Sequence, residues 1–239
     1  MKENILIITP TFNEKDNIEL FVNSVMSLGL SLLIVDDNSP DKTYEIVKKL
    51  QKKYKKLFLI QRAKKMGLGS AYKEGFDWGI EKKYDYIVEM DADFSHRFED
   101  LTNMISHIDD YDLILGSRYV YGGGSEGWDY KRKMLSLKAN QLTKKILKTN
   151  INDLTTGFRI YKVDSLSILN YSNLISDGYS FQIEMAYLFI KNKFKIKEVP
   201  IIFHERRLGK SKMSWKIIIE AFKTLLYLYF QRIKNDKKD

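Results

Sequence analysis

Residues 91–96 read Asp-Ala-Asp-Phe-Ser-His, with two carboxylates one residue apart just beyond the apolar run Tyr86-Ile87-Val88-Glu89-Met90. That run predicts a strand entering a core. Strand alternation would point Asp91 and Asp93 the same way at its carboxyl end. Open α/β sheets place their ligands at that end, and paired hard oxygens there suit Mg²⁺ or Mn²⁺ shared with a diphosphate. A solvated acidic loop is the competing reading of a lone Asp-x-Asp, so the surrounding elements have to choose.

Those elements alternate in the first half of the chain. Strand patterns fall at 4–9, 32–35, 57–60, 86–90 and 113–115, separated by helical patterns at 14–28, 40–54, 68–82 and 97–108. For the second helix, Ser39 reads as the cap, Pro40 as the first turn and Asp41 as a charge favoured at the positive end. Its residues Ile46, Val47, Leu50 and Tyr54 follow helical spacing. This rhythm predicts an α/β fold, a Rossmann-like, mostly parallel sheet flanked by helices. Beyond residue 118 the rhythm changes. The run Gly122-Gly123-Gly124-Ser125-Glu126-Gly127 reads as a flexible loop. A helix at 131–148 follows, then a strand at 157–162, a helix at 179–192 and a strand at 195–203. Arg132 and Ser136 are four apart, so they share one face of their helix.

The last helix, at 214–232, is amphipathic, and its apolar stretch is shorter than the ~20 residues a bilayer span needs. With its tyrosines and the basic tail Arg232, Lys234, Lys237 and Lys238, it reads either as an element lying in a membrane interface or as an ordinary packing helix. The expected organisation is a catalytic domain over 1–213 and this helix and tail over 214–239.

Composition narrows the partners. With 239 residues, 44% hydrophobic and 13% aromatic, the chain is long and apolar enough for a substantial core. It has no cysteine, which rules out disulfides and thiolate metal sites. The apolar stretch before Thr9-Pro10 is too short for a signal peptide, so the expected compartment is the cytosol. A net charge of +9 implies an anionic partner. Much of the excess is lysine on helix surfaces, and no nucleic-acid-binding motif accompanies it.

The first strand ends in Thr9-Pro10-Thr11-Phe12-Asn13-Glu14, without the Gly-x-Gly turn of a dinucleotide fold, so a metal is the simplest means of neutralising a diphosphate. The second ends in Asp36-Asp37-Asn38-Ser39, an acidic pair able to accept hydrogen bonds from a base or ribose, or to cap a helix. Together with Asp91-Ala92-Asp93, these segments resemble the inverting family-2 glycosyltransferases, which have a nucleotide-sugar-binding fold of type A. Further segments resemble the polyprenol-phosphate mannosyltransferases within that family. They are Gly67-Leu68-Gly69-Ser70-Ala71-Tyr72, Asp93-Phe94-Ser95-His96, Gly116-Ser117-Arg118-Tyr119 and Gly127-Trp128-Asp129-Tyr130-Lys131-Arg132. The later ones are Asp153-Leu154-Thr155-Thr156-Gly157-Phe158-Arg159, Gly178-Tyr179-Ser180-Phe181-Gln182-Ile183-Glu184-Met185 and Val199-Pro200-Ile201. The motifs run in order from about residue 5 to residue 213.

The resemblance implies metal-dependent transfer of mannose from GDP-mannose to a polyprenyl (dolichyl-type) phosphate. It implies that Pro10, Phe12, Glu14 and Asp37 hold the nucleoside. Asp91, Ala92 and Asp93 would border the diphosphate, with Asp91, Asp93 and Ser95 as ligands of Mg²⁺ or Mn²⁺. Arg118, Arg132 and Ser136 would grip the lipid phosphate. Arg206, Ser211 and Lys212 would belong to a basic loop closing over the nucleotide sugar, with Gly209 as its hinge. Such an enzyme would sit peripherally on the cytosolic face of a membrane. It would be held there by its terminal helix or by a small membrane-anchoring subunit, because no spanning segments follow residue 230 as they do in longer members. Phe12 stands where relatives usually have Tyr, and Arg97 where many have Pro. Two readings remain beside this one: a sister enzyme using UDP-glucose or another nucleotide sugar with the same lipid, and a catalytically silent membrane-bound adaptor. His96 and His204 are not needed as bases, since a phosphate monoester with a second pKa of about 6 is already largely dianionic.

Overall fold

The computed structural model describes residues 4–176, 178–205 and 215–236. The first half is strictly alternating: β1 (Ile5–Thr11), α1 (Lys15–Ser27), β2 (Ser31–Asp36), α2 (Thr43–Gln51), β3 (Leu57–Gln61), α3 (Leu68–Glu81), β4 (Tyr86–Glu89), α4 (Phe98–Ile105) and β5 (Leu113–Ser117). The second half adds β6 (Gly124–Glu126), α5 (Tyr130–Leu147), β7 (Arg159–Lys162), α6 (Val163–Ser167), α7 (Tyr179–Lys191), β8 (Ile196–Pro200), β9 (Ile202–His204) and α8 (Trp215–Asp236).

Seven strands form one sheet in the order β3-β2-β1-β4-β7-β5-β8. All neighbours are parallel except β7, which runs antiparallel between β4 and β5. The inner strands β1 and β2 are buried on both faces, as a sheet covered on both sides requires. One core layer packs α3 and α7 on the sheet through Leu6, Ile8, Phe76 and Phe181, and the other packs α1 and α4 through Ile7, Phe21, Val88 and Leu101. The strand order reverses direction at β1, whose neighbours are β2 on one side and β4 on the other. A crevice outside the carboxyl ends of β1 and β4 is where such a sheet receives ligands.

Three local expectations change. The helix expected from 40 begins at Thr43, because Lys42 takes a left-handed φ of +65° that interrupts it. Ser39 does not cap it; its hydroxyl donates to Asp36 Oδ2 and accepts from the Asn13 N–H, while the Asp41 carboxylate accepts from the Thr43 N–H. The glycine run expected as loop contains β6, which pairs in parallel with β9 as a separate two-stranded sheet. The expected strand at 195–203 is accordingly divided between two sheets. α8 packs against α7 and α5, and among the described residues no helix is long and apolar enough to cross a membrane.

Candidate active site

The Asp-x-Asp loop is fastened from several sides. Thr9 Oγ1 at the end of β1 donates to the Met90 carbonyl at 2.8 Å. The Asp91 N–H donates to His96 Nδ1 at 3.2 Å, and the imidazole stacks on Phe158 at 4.6 Å. A ring nitrogen that accepts carries no proton, so His96 is a neutral, buried clamp on the loop. Between the carboxylates and this clamp, Phe94 holds a φ of +61°. An aromatic residue in that region stores about 1–3 kcal/mol of strain, and such strain collects where geometry is over-determined by function. The turn is closed by the Ser95 N–H donating to Asp93 Oδ1 at 3.0 Å.

This loop fits a divalent cation. Asp93 is buried, and Ser95 Oγ is buried with no hydrogen-bond partner, as a hydroxyl reserved for a ligand would be. Among the described residues, no group of three or more His, Asp or Glu side chains gathers in metal-binding fashion. Two carboxylates and a hydroxyl would therefore share the ion with oxygens from another molecule, which is the habit of Mg²⁺-like ions with diphosphates.

Beside it, the loops after β1 and β2 are stitched together. The Asn13 N–H donates to Ser39 Oγ, the Glu14 N–H to Thr43 Oγ1 and the Lys15 N–H to Asp41 Oδ2, each at 2.9–3.0 Å. The acidic pair divides its labour. Asp36 is fully buried and accepts from Thr11 Oγ1 and from both the N–H and hydroxyl of Ser39. Asp37 accepts from Arg62 Nη1 at 2.7 Å and from the Met66 and Gly67 N–H groups at 3.2 Å. Arg62 was not singled out from sequence, and it ties this edge together, donating also to the Gly67 carbonyl and to Ser70. Its only sequence signal is its place, immediately after the last residue of β3. Pro10 lies in β1, Phe12 carries the Lys65 ammonium 3.9 Å above its ring, and Glu14 accepts from Asn17 Nδ2.

The arginines stand on the other flank. Arg118 makes a bidentate pair with Asp153, Nε to Oδ2 and Nη2 to Oδ1, both 2.7 Å, and Nη2 also reaches Thr155. Burial alone would raise the Asp153 carboxyl, but the Arg118 charge and hydrogen bonds hold it below the usual carboxylate range. The Trp128 ring lies 5.3 Å from the Arg118 guanidinium and 4.2 Å from that of Arg132. Arg132 lies in the first turn of α5, where Asp129 accepts from its N–H, and its Nη1 meets Glu205 at 3.0 Å. Ser136, one turn on, accepts from the Tyr119 hydroxyl at 2.7 Å.

A chain of rings joins the two flanks. His96 meets Phe203 at 5.7 Å, and Phe203 meets Trp128 at 5.3 Å. The carboxylate loop and the arginine pair are therefore linked through Phe203 of β9 and Trp128 in the loop before α5. Arg206, Ser211 and Lys212 lie outside the described residues.

Comparison with known proteins identifies the family. Residues 6–169 match the domain described as Glycosyl transferase family 2. The chain is 41% identical over 223 residues to a polyprenol monophosphomannose synthase of Mycolicibacterium smegmatis, covering 92% of this chain and 84% of that one. It is 38% identical over 219 residues to an undecaprenyl-phosphate mannosyltransferase of Micrococcus luteus, covering 91% and 90%. Its fold is shared with glucosyl-3-phosphoglycerate synthase from Mycobacterium tuberculosis, solved with Mn²⁺, UDP-glucose and phosphoglyceric acid, at a TM-score of 0.69, 15% identity and coverage of 95% and 80%. It is shared also with a mannosyltransferase from Pyrobaculum calidifontis solved with GDP-Man and Mn²⁺, at a TM-score of 0.61, 15% identity and coverage of 95% and 66%. The chain belongs to glycosyl transferase family 2.

Proposed function

We propose that this glycosyltransferase moves mannose from GDP-mannose to a polyprenyl phosphate, giving polyprenyl-phosphate mannose and GDP with inversion at the anomeric carbon. One observation carries the reading: a carboxylate pair at the sheet's switch point and an arginine pair around Trp128 are linked through the contacting rings of His96 and Phe203. The names of the two relatives, a polyprenol monophosphomannose synthase and an undecaprenyl-phosphate mannosyltransferase, support the choice of sugar and acceptor.

In this reading Pro10, Phe12, Glu14 and Asp37 border the nucleoside, with Asp37 held by Arg62. Asp91, Ala92 and Asp93 border the diphosphate. A divalent cation held by Asp91, Asp93 and Ser95, Mg²⁺ or Mn²⁺, would supply positive charge that stabilises the departing diphosphate. Arg118, fixed by Asp153, and Arg132 with Ser136 orient the lipid phosphate, whose oxygen attacks the anomeric carbon as the bond to GDP breaks. That oxygen is already anionic at neutral pH, so no side chain has to take a proton. Catalysis by the protein is then in-line positioning and electrostatic preorganisation. Arg206 and Lys212 belong to the nucleotide-sugar side of this scheme.

The acceptor is a lipid, and α8 exposes Phe222, Leu226, Tyr227 and Phe230 beside Lys223 and Lys234, while α5 exposes Leu135 and Leu142. These faces suit docking on the cytosolic surface of a membrane, with an anchoring subunit as the other means of reaching it.

Arg132→Ala tests the acceptor half. Its KM for polyprenyl phosphate should rise about tenfold or more, because a charge-assisted contact is lost, with the KM for GDP-mannose nearly unchanged. Equal loss toward both substrates would place Arg132 elsewhere.

A further inference from the structure

Beneath Asp91 lies a buried polar cluster that the scheme above leaves unused. Glu89 ends β4 and is fully buried. Asp91 follows two residues on, just past the end of the strand. Gln182 Nε2 donates to Glu89 Oε2 at 2.8 Å, and the Tyr161 hydroxyl donates to Oε1 at 3.1 Å. Across the antiparallel ladder Glu89 pairs with Arg159, also fully buried. Arg159 donates from Nε to the Thr156 carbonyl and from Nη2 to the Leu154 carbonyl. The Tyr72 ring is fully buried in the core layer that also holds Tyr161.

Packing alone does not account for these residues. Gln182 Oε1 and the Tyr72 hydroxyl are buried without hydrogen-bond partners. Each costs about 1–3 kcal/mol, and apolar side chains of similar volume in place of buried charges are often neutral or stabilising. What the cluster does is join parts of the site. Gln182 sits in the first turns of α7, and its Nε2 is 3.8 Å from where a Cβ on Gly157 would stand. The neighbouring Phe181 ring and the Ser176 carbonyl lie within 3.0 Å of where a Cβ on Gly69 would stand, so the start of α7 also presses on the glycine turn beside Asp37. Glu89 is the strand residue through which that helix end grips the chain leading to Asp91.

We infer that Glu89 and Gln182 are positioning residues for Asp91: their hydrogen bond locks the start of α7 to the end of β4 and so fixes the direction of the Asp91 carboxylate. Neither touches substrate; both act through the strand. The inference rests on the proposed metal and diphosphate role of Asp91 and Asp93.

The test is Mn²⁺ binding to the full chain in the presence of GDP, read by electron paramagnetic resonance, alongside thermal melting and steady-state kinetics. Two variants are compared with the unsubstituted protein. Glu89→Met/Gln182→Met replaces the pair with apolar side chains, and Tyr161→Phe removes a single hydroxyl from Glu89. The double variant leaves buried Arg159 without its facing carboxylate and should melt lower, and its folded form should bind Mn²⁺ about 10–100-fold more weakly, the usual effect of removing an outer support of a metal ligand. Its kcat should fall with the KM for polyprenyl phosphate unchanged, and Tyr161→Phe should shift Mn²⁺ binding in the same direction by less. Unaltered Mn²⁺ affinity in both variants would overturn the inference. Should the double variant not fold, Tyr161→Phe decides alone, and unaltered affinity there overturns it. If the unsubstituted protein binds no Mn²⁺ with GDP, the metal role of Asp91 and Asp93 fails first, and the inference with it.

Discussion

Asp93→Ala should lower kcat by on the order of a thousandfold or more while the protein stays folded, since a lost metal ligand removes several kcal/mol of transition-state stabilisation. The structural cost is small by comparison. The turn bond that Asp93 accepts from the Ser95 N–H is worth about 1 kcal/mol. A domain with 5–15 kcal/mol of stability tolerates that loss. Asp93→Asn retains an oxygen for the Ser95 N–H and removes the charge. It should therefore melt like the unsubstituted protein and still lose turnover. Circular dichroism with a radiolabelled-mannose transfer assay separates the two effects. Normal turnover by Asp93→Ala would remove Asp93 from the metal and diphosphate.

Asp153→Ala should be the most destabilising single change at the arginine flank. It leaves the Arg118 guanidinium, itself largely buried, without its bidentate carboxylate, and breaking a buried pair costs about 3–5 kcal/mol. It should also weaken acceptor use, because Arg118 loses the fork that fixes its direction. The pH dependence has a definite sign. The folded-state pKa of Asp153 lies below its ordinary value near 3.8, so its contribution is full above that value and fades as pH falls through the depressed one. The stability gap between Asp153→Ala and the unsubstituted protein should therefore be constant near neutrality and narrow in strong acid. Urea titrations across that range measure it, and a gap that widened on acidification would contradict the pairing.

The parts of this molecule that follow from local pattern were legible in its sequence. Asp91 and Asp93 could be placed because an apolar run defines a strand and the strand defines its own carboxyl end. The alternation of β1 to β5 with helices fixed the layered sheet for the same reason. Strand direction is not a local property, so the antiparallel insertion of β7 between β4 and β5 could not be read from Arg-Ile-Tyr-Lys. The pairing of β6 with β9 was hidden because a glycine run carries no hydrophobic alternation. The start of α2 was misplaced because a left-handed lysine leaves no signature in composition.

Within the site, residue types were readable and their partners were not. Asp36 and Asp37 are adjacent and chemically identical, yet one stitches loops and the other meets Arg62, 25 residues away. Arg118 was expected at the lipid phosphate from resemblance alone, and its carboxylate partner, Asp153, lies 35 residues on. Glu89 passed as part of the apolar run Tyr86–Met90, and only the fold reveals that Gln182 and Tyr161 meet it from 93 and 72 residues further along.

The most direct test of the account is a transfer assay with the full chain, Mn²⁺, a polyprenyl phosphate in micelles and either radiolabelled GDP-mannose or UDP-glucose. The predicted result is mannose in the organic extract as a lipid phosphodiester of inverted anomeric configuration, with one GDP released per lipid product. Exclusive turnover of UDP-glucose, or GDP release with no mannose on the lipid, would contradict it.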